Sequence, residues 1–329
     1  MHYTAALRIA RYTIALLISF LLVRFCIHAR DRSRFQRHLH ARYITWSDFP
    51  SQYTSLLKSK DWPALEADKF DYTHSFPSSS NSTIPRTIHF IWFKDLYSTR
   101  PDTTQIPSLG SDAPELYHYA WFITTYDSYK YPIQRIDALK YFILHHHGGV
   151  YMDLDIACRR PLDPLLEFPA WFPEASPLGV NNDLMASRAG HPVVELMIRN
   201  LEPRSRWNFL FPYVTIFWTT GPQFTGDMLF KWWAGHSTVI AETGQDTSDA
   251  WFVLPRDFYS EEYTFFGHSP GGTWHGQDVA TVLWLVAHPA VFWGLVALVV
   301  IVLCLTTRAC MYRRRSARHG EGRWKASEV

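Results

Sequence analysis

Cysteine is scarce: the 329 residues hold four, and Cys26, Cys304 and Cys310 lie in or beside the hydrophobic ends, leaving only Cys158 in the middle. No disulfide can close within the globular part, which neither requires nor excludes an oxidising compartment. A charge excess is missing too. With a net charge of +2 the chain offers little to a nucleic-acid backbone, and no nucleic-acid partner is expected. Internal repeats are absent. Charge is also missing from one long stretch, since no Asp, Glu, Lys or Arg lies between Asp278 and Arg308. What remains is enough chain for one substantial domain plus attachments. Aromatic residues make up 16%, with 14 Trp, which fits a core with wide apolar clefts or surfaces close to a membrane.

The uncharged stretch, Val279 to Thr307, exceeds the ~20 apolar residues that a bilayer crossing needs and is expected to be a transmembrane helix, kinked or entered at His288-Pro289. An earlier run, Thr13 to Val23, stops at Arg24; extended through Ile27 it reads as an uncleaved signal anchor, with a cleaved signal or an interfacial helix as alternatives. Arg308, Arg313, Arg314, Arg315 and Arg318 follow the second run, and no Lys or Arg lies between Asp257 and Asp278. The positive-inside rule then places the C-terminal tail in the cytosol and the domain before it in the lumen. Arginines after the first run argue the opposite, but the second run is longer and more asymmetric. The sequon Asn81-Ser82-Thr83 agrees with a lumenal domain. The expected layout is an anchor over 1–27, a polar stem and linker over 28–83, a globular domain over 84–278, a transmembrane helix over 279–307 and a basic cytosolic tail over 308–329.

Within the globular part, Arg86 to Phe93 has the dense apolar character of a buried strand. Tyr117 to Tyr129 has a helical pattern. The clearest helix starts at Pro132, a good first-turn residue, and carries Ile133, Ile136, Leu139, Phe142 and Ile143 as an apolar stripe. Asp137, Lys140 and Tyr141 fall on a neighbouring face. Gly148 and Gly149 end that helix and feed a short apolar strand that finishes in Asp153-Leu154-Asp155. Alternate side chains of a strand share a face, so both carboxylates are expected on one side with Leu154 pointing into the core. Ser176 to Val180 reads as a strand leading into Asn181-Asn182-Asp183, followed by a helix over 192–201. Tyr213 to Trp218 reads as a second strand, turning at Gly221 into a further helix. Last comes a glycine-rich loop with His268, His275 and Asp278.

Two neighbouring carboxylates repel unless a cation lies between them, and hard divalent ions take such ligands together with a substrate's phosphates. Asp153 and Asp155 are thus the candidate metal site, a cation–diphosphate clamp at a strand's carboxyl end. Asp137 and Lys140 could equally form a surface ion pair, and Asn182 and Asp183 could equally cap a helix. His145, His146 and His147 fan out over different helix faces and are not expected to ligate together.

The segments IPRTIHFIWF, YPIQRIDALKYFILHHHGGVYMDLDIACRRPLDPLL, SPLGVNNDLMASRAGHP, TTGPQF and GGTWHGQD, spanning Ile84 to Asp278, resemble glycosyltransferase family 32. Within it they resemble the fungal mannosyltransferases that make mannosylinositol phosphorylceramide. The resemblance implies an α/β fold of the GT-A type and a retaining, Mn²⁺-dependent transfer of mannose from GDP-mannose to inositol phosphorylceramide in the Golgi, with Mg²⁺ as the alternative ion. It implies Asp153 and Asp155 as metal ligands with the metal or phosphate shell completed by His275 or His268. Asp137 and Lys140 would contact the donor sugar, and Asn182, Asp183 and Asp278 would line the donor site. Two positions depart from the family: Lys140 stands where Arg is usual, and the strand expected between Trp92 and Trp121 has no counterpart. Alternative readings are an inactive membrane-anchored partner subunit, a mannosyltransferase for protein-linked glycans, and a phosphatase using the first Asp as nucleophile. A regulatory subunit belongs among the expected partners of an active enzyme.

Overall fold

The computed structural model describes residues 2–49, 82–91, 114–175, 179–243, 249–259, 265–268 and 276–325. They divide into one unit of Met1–Leu210 and Thr215–Thr273 and a second of Phe211–Val214 and Trp274–Val329. In chain order the elements begin with helix α1 (His2–Ala41), strand β1 (Ile88–His89), helix α2 (Ile123–Ser128) and helix α3 (Pro132–His147). Strands β2 (Gly149–Met152), β3 (Ile156–Cys158), β4 (Ala170–Pro173) and β5 (Leu184–Ser187) follow. Next come helices α4 (Pro192–Ser205), α5 (Pro212–Thr219) and α6 (Pro222–Thr243), strand β6 (Phe252–Leu254), helix α7 (Arg256–Tyr259) and strand β7 (Phe266–His268). The second unit carries helices α8 (Asp278–Ala287) and α9 (Pro289–Lys325).

Five strands form one mixed sheet in the order β1-β2-β5-β4-β6. β2 runs parallel to β1 and antiparallel to β5, while β4 runs antiparallel to β5 and parallel to β6. Apolar side chains alternate between its two faces, as the pleat requires. Tyr151, Met185, Phe172 and Val253 enter a core shared with α1, α3, α4 and α6. Val150, Met152, Trp171, Leu184, Ala186 and Leu254 enter the opposite core, closed by Ile44, Phe49, Phe258 and Phe265. Burial on both faces explains the continuous apolar character of these strands, each large side chain contributing ~1.5–3 kcal/mol. A separate antiparallel pair, β3 with β7, sets Ile156 opposite His268.

Several expectations are corrected. The stretch expected as a stem over 28–83 sends Phe35 and Leu39 of α1 into the first core and Ile44 and Phe49 into the second. Arg32 of α1 also pairs with Asp227 of α6. Beyond α1, Tyr43 bridges to Val253, with Ile44 N–H donating to the Val253 carbonyl at 2.9 Å and Val253 N–H to the Arg42 carbonyl at 2.9 Å. Tyr213 to Trp218 is helix rather than strand. Its β-branched and aromatic residues look strand-like, but Pro212 opens a helix that buries Thr215, Ile216 and Thr219 at helical spacing. Val180 makes only an isolated bridge to Glu174, and the strand lies after Asn181-Asn182-Asp183, not before them. Residues 92–113 and 176–178 lie outside the described residues, as does the sequon Asn81.

The apolar C-terminal run breaks at His288 into α8 and α9. Pro289 has no N–H to give and ends the first helix there. Pro289–Thr306 has a mean hydropathy of 2.6 and is long and apolar enough to cross a membrane; among the described residues no other helix is.

Candidate active site

The site begins with the glycines. Both take positive φ, 66° at Gly148 and 104° at Gly149, where a side chain is strained. A Cβ on Gly149 would stand 2.6 Å from the Thr87 carbonyl, and one on Gly148 would stand 2.6 Å from the Ala189 nitrogen. Only glycine lets α3 turn so tightly into β2 between neighbouring backbones. β2 then carries the chain to Asp153, whose N–H donates to the Asp183 carbonyl at 2.8 Å.

Asp153-Leu154-Asp155 is a turn, not a strand end, closed by Ile156 N–H on the Asp153 carbonyl at 3.1 Å. Leu154 sits at its tip and is 53% exposed, contrary to the expected inward orientation. Strand periodicity therefore does not govern the two carboxylates, which stand at the two sides of the reversal between β2 and β3.

Asp153 is tied down from the protein side. Lys140 Nζ lies 3.0 Å from its Oδ1, and the Tyr151 hydroxyl donates to the same oxygen at 2.7 Å. Lys140 is 2% exposed, far from the solvated ion pair that a helix surface would give. Its ammonium also lies 3.1 Å from Asp137 Oδ1 and donates to the Asn182 carbonyl at 3.3 Å. Burial works against that charge, but the Tyr151 ring hydroxyl and the carboxylates of Asp137 and Asp153 together hold Lys140 well above the usual lysine range. Asp137 is fully enclosed, accepting from Asn182 Nδ2 at 3.1 Å and from Thr220 Oγ1 at 3.2 Å. Burial pushes its carboxyl above the ordinary range, with Lys140 opposing.

On the other side of Asp153 stands Asp183, whose Oδ2 accepts from Asn181 Nδ2 at 2.6 Å and from the Tyr259 hydroxyl. Burial pushes Asp183 up to about 6, against the Tyr259 hydrogen bond. Tyr259 in turn stacks on His268, ring centroids 5.5 Å apart, and His268 Nε2 faces Asp155 Oδ2 at 3.7 Å. One connected set thus runs from Asp137 through Lys140, Asp153, Asp183 and Tyr259 to His268 and Asp155.

Asp153, Asp155, Asp137, Lys140, Asn182, Asp183 and His268 all belong to this set. Asp278 does not. In the second unit it opens α8, and its Oδ2 accepts the Tyr213 N–H at 2.7 Å, a capping contact. His275 lies outside the described residues. The three histidines disperse: His145 Nδ1 meets the Tyr119 hydroxyl at 2.6 Å, His146 stacks on His118, and His147 lies 6.0 Å from the His89 ring. Gly221 joins two helices rather than a strand and a helix.

Reading the sequence overlooked Tyr151, Tyr259 and Thr220. Tyr151 was detectable, because it sits two residues before Asp153 along the strand direction. Tyr259 has no local signal; packing alone brings it to Asp183.

A hard divalent cation suits oxygen donors with one imidazole. Asp155 and His268 face each other and Asp153 opens the same turn, so the donor chemistry fits. Among the described residues no group of three or more His, Cys, Asp or Glu could hold an ion unaided. The arrangement matches an ion shared between one or two carboxylates and a bound diphosphate, not a closed protein cage.

Residues 32–171 match the family model for the glycosyltransferase sugar-binding region containing a DXD motif. Inositol phosphoceramide mannosyltransferase 3 of Schizosaccharomyces pombe is 35% identical over 235 residues, covering 67% of this chain and 64% of that protein. In Saccharomyces cerevisiae, mannosyl phosphorylinositol ceramide synthase SUR1 is 41% identical over 162 residues, covering 49% of this chain and 40% of the relative. CSH1 of the same organism and name is 36% identical over 223 residues, 63% and 57% respectively. The chain thus spans less than two thirds of the length of these relatives. A solved structure, PaToxG glycosyltransferase, covers 40% of the chain at a TM-score of 0.28 and 17% identity, too distant to argue from. The matched region begins inside α1 and runs through the Asp153-Leu154-Asp155 turn to β4, and this part of the chain is similar to the glycosyltransferase sugar-binding region containing a DXD motif.

Proposed function

We propose that the chain is a mannosyltransferase of sphingolipid synthesis, moving mannose from GDP-mannose to the inositol headgroup of inositol phosphorylceramide. The observation that carries this is the turn at Asp153 and Asp155, with Asp153 held by Lys140 and Tyr151 and Asp155 facing His268. The relatives' names supply the sugar and the acceptor class. The fold is read as GT-A, the stereochemistry as retaining, and the location as the Golgi membrane with the domain lumenal.

Asp153 and Asp155 would share Mn²⁺, or Mg²⁺, with the donor's diphosphate, and such an ion supplies Lewis-acid stabilisation of the charge developing on a departing diphosphate. The protein's own groups do the rest. Asp137, enclosed beside Asn182 and Thr220, anchors Lys140 from within the protein. Lys140 keeps the Asp153 carboxylate in one orientation, so donor binding needs no rotamer search at that position. Leu154, exposed at the turn's tip, offers an apolar contact to whatever lies against the clamp.

The test is transfer of labelled mannose from GDP-mannose by membranes carrying the chain, with inositol phosphorylceramide and Mn²⁺ supplied. A mannosylated lipid that disappears with Asp155→Asn is the expected result. Absence of product with the intact chain under all three additions, the folded protein verified, would favour the partner-subunit reading; product on a protein-linked glycan instead would move the acceptor.

A further inference from the structure

The turn between α4 and α5, Trp207-Asn208-Phe209-Leu210, exposes an unusual amount of apolar surface. Trp207 and Phe209 are about two-fifths exposed, and Leu210 is 89% exposed. The turn is nevertheless held in shape. The Arg204 guanidinium lies 4.0 Å over the Trp207 ring and is itself fixed by Asp227 at 2.8 Å and the Trp218 carbonyl at 3.0 Å. Phe209 N–H donates to Thr215 Oγ1 at 2.9 Å, and the Trp207 and Phe209 rings meet edge to face at 6.1 Å. An apolar tip fixed this way in water carries its exposure cost permanently unless something covers it.

What covers it is indicated by the chain's own course. Tyr213, three residues after Leu210, donates its N–H to Asp278 at the start of α8. Three residues of chain reach at most ~11 Å, so Leu210 is tethered within that distance of Tyr213. Asp278 is the last charged residue before Arg308, with the apolar helices α8 and α9 between them. If Pro289–Thr306 crosses a bilayer, the charged end at Asp278 belongs at the water–lipid boundary, where Trp and neighbouring apolar side chains are favoured and Arg heads stay in the polar layer. We propose that Trp207, Phe209 and Leu210 seat in the interfacial layer of the bilayer, a second membrane contact besides the apolar helix. It rests on reading Pro289–Thr306 as a span.

The experiment places a nitroxide at Leu210→Cys in the full chain, reconstituted in phosphatidylcholine vesicles, and measures relaxation by oxygen and by a water-soluble nickel chelate. Leu298→Cys in α9 reports the span, and Arg199→Cys, on the exposed face of α4, reports solvent. The unsubstituted chain, labelled alike, gives the background from its own cysteines. Positions 298 and 210 are expected to favour oxygen several-fold and 199 the chelate. If 298 favours oxygen but 210 matches 199, the inference is overturned and the span stands. Chelate access at 298 overturns both. Protection of 210 from both reagents with spin–spin broadening means a second copy covers the tip, which also overturns it.

Discussion

Lys140 sets the charge balance of the site, one ammonium serving two carboxylates. Removing one member of a buried ion pair leaves the other uncompensated, at about 3–5 kcal/mol. Lys140→Met is therefore expected to destabilise the protein by about that amount in urea unfolding, and Asp137→Asn added to it is expected to return part of the loss. Strict additivity of the two changes would refute the coupling between them. Lys140→Arg answers a different question. A planar guanidinium cannot occupy the same pocket between Asp137, Asp153 and the Asn182 carbonyl without displacing one of them, so impaired transfer is expected even though charge is kept.

A second residue-scale expectation concerns pH. His191 is fully buried, accepts the Val193 N–H at Nδ1 and meets the Ala250 carbonyl through Nε2. Burial lowers it to about 4, below the ~6.5 of an unfolded histidine. Its contribution to stability is thus complete above pH ~6.5 and is lost as pH falls through that window towards 4, up to about 3 kcal/mol in all. Asn at position 191 can still cap α4. His191→Asn is expected to flatten the fall in melting temperature between pH 6.5 and 4; an unchanged slope would assign that fall to other groups.

Among the elements, those with strong local signals were legible. The α3 helix, its glycine stop and the strand after it follow from Pro132, an apolar stripe and two adjacent glycines. The face bearing Asp137 and Lys140 was identified, but its burial was not, since nothing local says that Tyr151, Asn182 and Thr220 close over it. Tyr213 to Trp218 misled because β-branched and aromatic composition outweighed the helix start at Pro212. Leu154 misled because a two-residue reversal has the same sequence appearance as a continuing strand. The glycines permit a sharp test. Gly149→Ala meets both the positive φ and the Thr87 carbonyl, so about 3 kcal/mol of destabilisation is expected. Gly190→Ala meets only the positive φ of 64°, with open space around its Cβ, and should cost roughly 1 kcal/mol. Equal losses would show that backbone strain alone is responsible.

For the whole molecule, the decisive finding is that the C-terminal part of α1 packs into the core of the sheet-bearing unit. A polar, arginine-rich stretch looked like a stem because its apolar residues, Phe35, Leu39 and Ile44, are sparse. Their partners lie about two hundred residues away in sequence, which no window can see. Phe35 packs against Phe230 at 5.3 Å and Trp233 at 5.7 Å. Phe35→Ala is expected to cost about 3–5 kcal/mol of stability, measured by denaturant unfolding, whereas a free stem would lose nothing.

The bridge between Tyr43 and Val253 has a consequence for synthesis. Its halves are separated by 253 − 43 = 210 positions, so the edge of the sheet waits for nearly the whole domain to be translated. At ~5–20 residues per second, that wait lasts on the order of 10–40 s. Through it Phe35 and Leu39 of α1 lack the partners they have in the finished core, which makes this part of the helix a segment that a chaperone would have to shield.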